Sequence, residues 1–257
     1  MTDSLDPSII AANLTAVRER IAAAAQASGR APESVRLIAV SKTFPAESVR
    51  AAIAAGQRDF GENKVQEAIP KIEAIEKMAA DGQVTADQVR WHLIGHLQSN
   101  KARKAARPFD VIHSIDSADL LQKIDAAARE ARRTPELLIQ VDLAGEATKF
   151  GATPDALQPI FDAAASLTSA RIIGLMVLPP WSEDAEVARP YFRRLRELRD
   201  ELGSRGVPAA SLRELSMGMS HDFEVAIAEG ATMVRVGTAI FGKRTPPSTA
   251  TEGATEG

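Results

Sequence analysis

Eight short apolar runs recur along the 257-residue chain, each leading into a stretch with helical spacing, and this alternation restricts the fold more than any other feature. The runs are "RLIAVS" from Arg36, "RDFGE" from Arg58, "RWHLIG" from Arg90, "DVIHSI" from Asp110, "LLIQVDL" from Leu137, "IIGLMVL" from Ile172, "RELSMG" from Arg213 and "TMVRVGTA" from Thr232. In the first, Leu37 to Val40 are apolar without a break, the pattern of a strand covered on both faces. Between the runs lie helical segments such as "AESVRAAIAAG", "ENKVQEAIPKIEAIEKMAA", "SADLLQKIDAAAREARR", "PDALQPIFDAAASL", "EDAEVARPYFRRLRELRDELG" and "HDFEVAIAEG". Connections this short imply parallel strands joined by helices. Eight such units in this length fit a closed (β/α)8 barrel of the TIM type, although an open doubly wound sheet has the same local pattern.

A further helix precedes the first strand: Ile10, Leu14, Val17 and Ile21 recur at helical spacing, and Gly29 marks its end. The expectation is a single α/β domain, a barrel with an N-terminal helix over residues 1–244, followed by a disordered Pro, Ser, Thr and Gly tail over 245–257. Within it, "AIAAGQRDFG" from Ala52 and "AIAEGATMVRVG" from Ala226 both run helix, glycine, strand, glycine, with Gly56 and Gly230 placed as helix C-terminal glycines. With 45% hydrophobic residues the chain has ample material for one core. Its net charge of -3 gives no general attraction to nucleic acid or an anionic membrane. The absence of cysteine excludes disulfides, thiolate catalysis and sulfur-based zinc sites. No secretory signal opens the chain and no stretch approaches the roughly 20 apolar residues of a spanning helix, so a cytoplasmic location is expected. Asn13-Leu14-Thr15 is then a chance glycosylation match.

Barrels of this kind collect their reactive groups at the C-terminal ends of the strands, with phosphate commonly held after the seventh and eighth. Lys42 follows the first strand; "SMGMS" (Ser216 to Ser220) and "VGT" (Val236 to Thr238) follow the seventh and eighth. Ser220 reads as an N-cap with Asp222 in the first helical turn, and Gly218 would let an anion approach the backbone. The structural alternative is a plain helix cap. Arg235 is a guanidinium in an otherwise apolar strand, to be paired either with a barrel carboxylate such as Glu62 or with a ligand. Lys42 either reaches into solvent or, held among apolar strand ends, condenses with an aldehyde. An aldehyde that carries a phosphate would satisfy both ends of this constellation. His92 and His96 lie four apart in a strand-like run that includes Gly95, a poor frame for metal, and His113 and His221 are isolated, so no metal site is expected.

Taken in order, "AVSKTFP", "FGENKVQEA", "WHLIGHLQSNK", "HSIDS", "GLM" and "SMGMSHDFEVAIAEGATMVRVGTAIFG" resemble the pyridoxal phosphate homeostasis proteins, single-domain relatives of the alanine racemase barrel, from about Val35 to Gly242. The resemblance implies that Lys42 forms a Schiff base with pyridoxal 5'-phosphate. It implies that Ser216, Ser220, Gly237 and Thr238 hold the phosphate with backbone help from Met217 and Gly218, that Asn63 lies beside the ring, and that Arg235 faces the pyridine nitrogen. An arginine there disfavours protonation of that nitrogen and weakens the ring as an electron sink. Lys64 and the segment "VDLAGEATKFG", including Lys149, depart from the family's pattern. The implied function is reversible binding of the cofactor for its homeostasis, buffering it and delivering it to apo-enzymes, by a monomer without turnover of its own. The alternatives are a racemase-like enzyme on the same cofactor and a lysine-dependent aldolase without one. A racemase of this kind takes a tyrosine base from a second domain, whereas the only tyrosine here is Tyr191, inside a helical segment.

Overall fold

The computed structural model describes residues 6–83, 89–145 and 150–242. The tail over 245–257 and Lys149 lie outside them. Eight parallel strands close into one barrel in sequence order, β1 (Arg36–Val40), β2 (Asp59–Glu62), β3 (Arg90–Leu93), β4 (Val111–Ile115), β5 (Glu136–Val141), β6 (Arg171–Val177), β7 (Glu214–Met219) and β8 (Met233–Val236). The last pairs with the first through Ile38 against Arg235, which excludes the open sheet.

Helices α2 (Ala46–Ala54), α3 (Val65–Ala80), α4 (Ala102–Ala105), α5 (Ala118–Ala131), α6 (Leu157–Ala163), α7 (Arg189–Ser204) and α8 (Phe223–Ala228) fill the connections. The short α4 was not legible in the sequence, and α6 is flanked by 3-10 turns where a longer helix was expected. Ahead of the barrel, α1 (Pro7–Ala27) is capped by Asp6, whose carboxylate accepts from the Ser8 amide, and buries Ile10, Leu14, Val17, Ile21 and Ala25 on one stripe. Asn13 on α1 donates to the Ile240 carbonyl of the closing helix α9 (Thr238–Phe241), which ties these two helices together. Gly56 and Gly230 end α2 and α8 with positive φ, as the internal echo predicted.

Strand alternation sorts the core into two layers. Leu37, Ala39, Leu215, Met217, Val234 and Val236 face outward into the continuous layer beneath the helices. Ile38, Val111, Leu138, Ile173, Met176 and Met233 fill the barrel interior. The same parity sends Glu62 outward with Phe60, so the expected alternative pairing of Glu62 with Arg235 does not occur. Glu62 instead forms a buried ion pair with Lys71 of α3 at 2.5 Å. Ser41 joins it, donating its hydroxyl to Glu62 at 2.7 Å and accepting from Lys71 through its carbonyl, also at 2.7 Å.

One sequence expectation about the phosphate loop needs correction. "SMGMS" does not follow the seventh strand, because β7 runs on through Ser216, Met217 and Gly218 to Met219. A bulge makes this possible: Ser216 pairs with Met233 and Met219 with Arg235, so β7 holds one residue more than β8 over the same span. Gly218 absorbs it at φ 92°, where an added Cβ would lie 2.6 Å from the Ala226 side chain and 2.9 Å from the Phe223 Cα. Ser220 consequently does not cap α8. Asp222 occupies the N-cap position, and its carboxylate accepts from the Met219 amide at 2.5 Å.

Candidate functional site

At the C-terminal ends of the strands a cavity of 580 Å³ opens on the barrel axis. Lys42 reaches it from two residues beyond β1, Asn63 from beyond β2, Ser220 from beyond β7, and Gly237 and Thr238 from beyond β8. Arg235 reaches it from within β8. Immediately after Lys42, Thr43 holds φ 69°, a strained backbone for a β-branched residue and one that concentrates at functional sites. Val40, Ile94, Leu178 and Met219 supply an apolar lining. No carboxylate lines the cavity among the described residues.

Three of the expected residues do not line the cavity. Ser216 is fully buried below the cavity, its hydroxyl 2.5 Å from Arg235 Nη1. Met217 faces the outer layer, and Gly218 packs against α8. The physical cause is the continuation of β7, which puts these residues in the barrel wall rather than in a loop. Ser220 is held at the rim, where its hydroxyl accepts from the Gly237 amide at 3.1 Å. Lys64, next to Asn63, is exposed and paired with Glu67 at 2.7 Å.

Other contributors were missed. His96 and His221 line the mouth, as does Trp181, which is 70% exposed on the loop after β6. His96 stacks on Phe150 at 3.5 Å between centroids and 9° between planes. The available signal was position: each of these side chains lies just past the C-terminal end of a strand.

Arg235 is anchored from below by a line of hydrogen bonds through the barrel. Its Nη2 donates to the Val177 carbonyl at 2.9 Å and its Nη1 to Ser216. Ser216 Oγ lies 2.9 Å from His113 Nδ1, His113 Nε2 lies 2.9 Å from His92 Nδ1, and His92 Nε2 lies 3.0 Å from Asp59 Oδ1. Burial raises the Asp59 carboxyl, but the His92 hydrogen bond and the nearby Arg36 and Arg90 outweigh it and leave the group below its ordinary range. An ionised Asp59 can only accept, which assigns every proton: His92 donates to Asp59, His113 to His92, Ser216 to His113 and Arg235 to Ser216. Both imidazoles are neutral. Burial depresses His92 against the opposing pull of Asp59, and it depresses His113 well below the ordinary value with help from the surrounding cations. Burial also lowers the Arg235 guanidinium to about 10, which keeps it charged at neutral pH.

The two depressed imidazoles have a stability consequence. The unfolded chain binds these protons at about pH 6.5 and the folded chain only at lower pH. The stabilisation is therefore complete above about 6.5 and is lost as pH falls, approaching about 1.4 kcal/mol per pH unit for each histidine. Urea midpoints at pH 7.5 and 5.5 should show the drop, and His113→Gln should flatten it; equal midpoints for the parent chain would contradict the neutral assignment.

The profile described as "Alanine racemase, N-terminal domain" matches residues 12–245. A curated "Pyridoxal phosphate homeostasis protein" of Aquifex aeolicus is 43% identical over 231 residues, covering 90% of this chain and 96% of that one. The chain belongs to this family. The structure of PipY from Synechococcus elongatus, with pyridoxal phosphate bound, superposes with a TM-score of 0.78 at 42% identity, covering 91% of this chain and all of PipY. An alanine racemase of Clostridium difficile shares the barrel alone, with a TM-score of 0.61 at 15% identity over 83% of this chain and 54% of the racemase.

The residues present fit a phosphorylated aldehyde. One amine, one buried guanidinium, hydroxyls and an amide surround a carboxylate-free cavity with apolar walls, and the backbone approaches closely at Gly237, where an added Cβ would stand 3.3 Å from Val40. Among the described residues no helix is long and apolar enough to cross a membrane.

Proposed function

We propose that this chain binds pyridoxal 5'-phosphate reversibly at the barrel mouth and serves its homeostasis, buffering the cofactor and delivering it to apo-enzymes in the cytoplasm. The carrying observation is the convergence of Lys42, Ser220, Gly237, Thr238 and Arg235 on one cavity without a carboxylate. When bound, the cofactor supplies an aldehyde and an electron-accepting ring. In this reading the Lys42 amine is the covalent anchor. The Ser220 and Thr238 hydroxyls and the backbone about Gly237 hold the phosphate, with Met217 and Gly218 shaping the strand that carries Ser220. Asn63 borders the ring. Arg235 faces its nitrogen, and Ser216 acts through Arg235 rather than on the phosphate.

Several observations favour a carrier over a racemase. Arg235, which this reading sets opposite the ring nitrogen, would work against strong carbanion chemistry. Tyr191 lies in the first turn of α7, outside the barrel, and is not among the residues lining the mouth. The relatives at about 40% identity are named for homeostasis, whereas the racemase likeness rests on the barrel. A monomer and the absence of a nucleic acid partner complete the proposal, consistent with the chain's net charge of -3.

A spectral titration with pyridoxal phosphate tests the reading, followed by incubation of the loaded protein with an apo-enzyme that requires it. The expected results are a saturable visible band and recovery of the enzyme's activity. A colourless protein at saturating cofactor would reject binding. Rapid interconversion of alanine enantiomers would replace the carrier by an enzyme.

A further inference from the structure

At the opposite end of the barrel, where the strands begin, lies a cavity of 610 Å³ whose lining is dominated by arginine. Arg36, Arg90 and Arg171 open β1, β3 and β6, Arg213 precedes β7, and Arg132 and Arg133 follow α5. Only Asp110 and Glu136 among the lining residues carry negative charge. Six guanidiniums and two carboxylates leave the lining four positive, so the remainder of a chain of net charge -3 is seven negative.

A salt-bridged plug for the barrel floor is the plain alternative, and the charge count does not support it. Glu136 is buried and shared among Arg90 at 2.5 Å, Arg213 at 2.6 Å and Arg171 at 3.4 Å. Glu214 also meets Arg213, at 3.5 Å, but two carboxylates do not neutralise three guanidiniums. Asp110 serves Arg133 at 2.6 Å, and Arg36 reaches Asp59 only at 3.8 Å. Arg132 has no carboxylate partner among the described residues. Gathering this much like charge in a concave, partly desolvated space is unfavourable unless an anion joins it.

We propose that this basal cavity is a binding site for a polyphosphate anion, free or as the phosphate chain of a nucleotide. Guanidinium groups suit phosphate oxygens because each can present two parallel donors. The excess of positive charge is distributed around the rim rather than focused at one point, which favours a chain of phosphoryl groups over a single orthophosphate. The site is independent of the barrel mouth and does not rest on the cofactor reading.

Calorimetric titration of the full chain, with and without pyridoxal phosphate, with inorganic tripolyphosphate at low salt tests this. Saturation at one equivalent per chain is expected, with affinity falling as salt rises. The pair Arg132→Asn and Arg171→Gln should weaken it about tenfold, the loss of one charge-assisted contact or more. Asparagine suits position 132, which sits at φ 53°, and Arg171 is two-thirds exposed, so both replacements preserve the fold. Arg103→Gln, which removes one charge on α4 away from the cavity, should leave binding unchanged. Parallel titrations with orthophosphate and a nucleoside triphosphate separate the sources: weaker binding of the former is expected, and equal binding of the latter shows that the nucleoside adds nothing. A melting temperature raised by tripolyphosphate beyond that given by sulfate of equal ionic strength is the second expected sign. Failure to saturate, equal weakening by Arg103→Gln, tighter binding of orthophosphate, or loss of binding on loading the mouth would each overturn the proposal.

Discussion

Lys42→Ala should yield a protein that takes on no visible band with pyridoxal phosphate and that borohydride cannot label. Among the residues lining the mouth, Lys42 is the sole primary amine, and it shares the cavity with the hydroxyls of Ser220 and Thr238, which follow the neighbouring strands β7 and β8. Replacing it removes the covalent anchor and leaves the phosphate contacts, so weak, colourless binding should persist while the fold holds. Ser220→Ala and Thr238→Ala should reverse the pattern, keeping the band but requiring more cofactor to saturate it. Absorbance titration and mass analysis after reduction provide the check. A labelled Lys42→Ala protein would transfer the anchoring role to another amine, with Lys64 beside Asn63 the first to examine.

Lys71→Ala should destabilise the fold by about 3–5 kcal/mol, because it leaves the Glu62 carboxylate buried without its counter-charge. Glu62 is already short of partners, since its Oε2 has no hydrogen bond among the described residues. The double replacement Glu62→Gln with Lys71→Met removes both charges and should recover most of the loss. Urea denaturation measures both variants. A single Lys71→Ala change costing under about 1 kcal/mol would show that the pair is hydrated rather than buried. The effect should extend to the mouth, because Lys71 also holds the Ser41 carbonyl, the residue preceding Lys42. Cofactor affinity is therefore expected to fall in both variants, because methionine at position 71 cannot donate to the Ser41 carbonyl either.

Much of this architecture was legible in the sequence because a parallel barrel buries both faces of its strands, so that each strand shows up as an apolar run. Lys42, Ser220, Gly237 and Thr238 could be placed for a related reason: residues just beyond strand ends converge once the number of strands is known, whereas Asn63 was placed by the family resemblance. Ser216 was misplaced because a glycine flanked by methionines and serines has loop composition, while the bulge at Gly218 keeps that segment in the wall. The destination of Glu62 follows from counting alternate residues back to Phe60, which needs the strand's exact limits. His92, His113, Ser216 and Arg235 come from four different strands, and only barrel closure sets their inward faces against one another. The arginines at the strand starts are hidden in the same way, each one unremarkable until the others surround it.

The hydrogen-bond direction inside the barrel bears on how a reactive vitamer can be stored safely. Every proton in the column from Arg235 to Asp59 is committed toward the floor, and none can reach the mouth unless all members turn over together. A ring resting on Arg235 would thus meet a fixed charge with no exchangeable acid behind it. The interior would then act as an insulator, leaving a cofactor anchored above it as stored cargo.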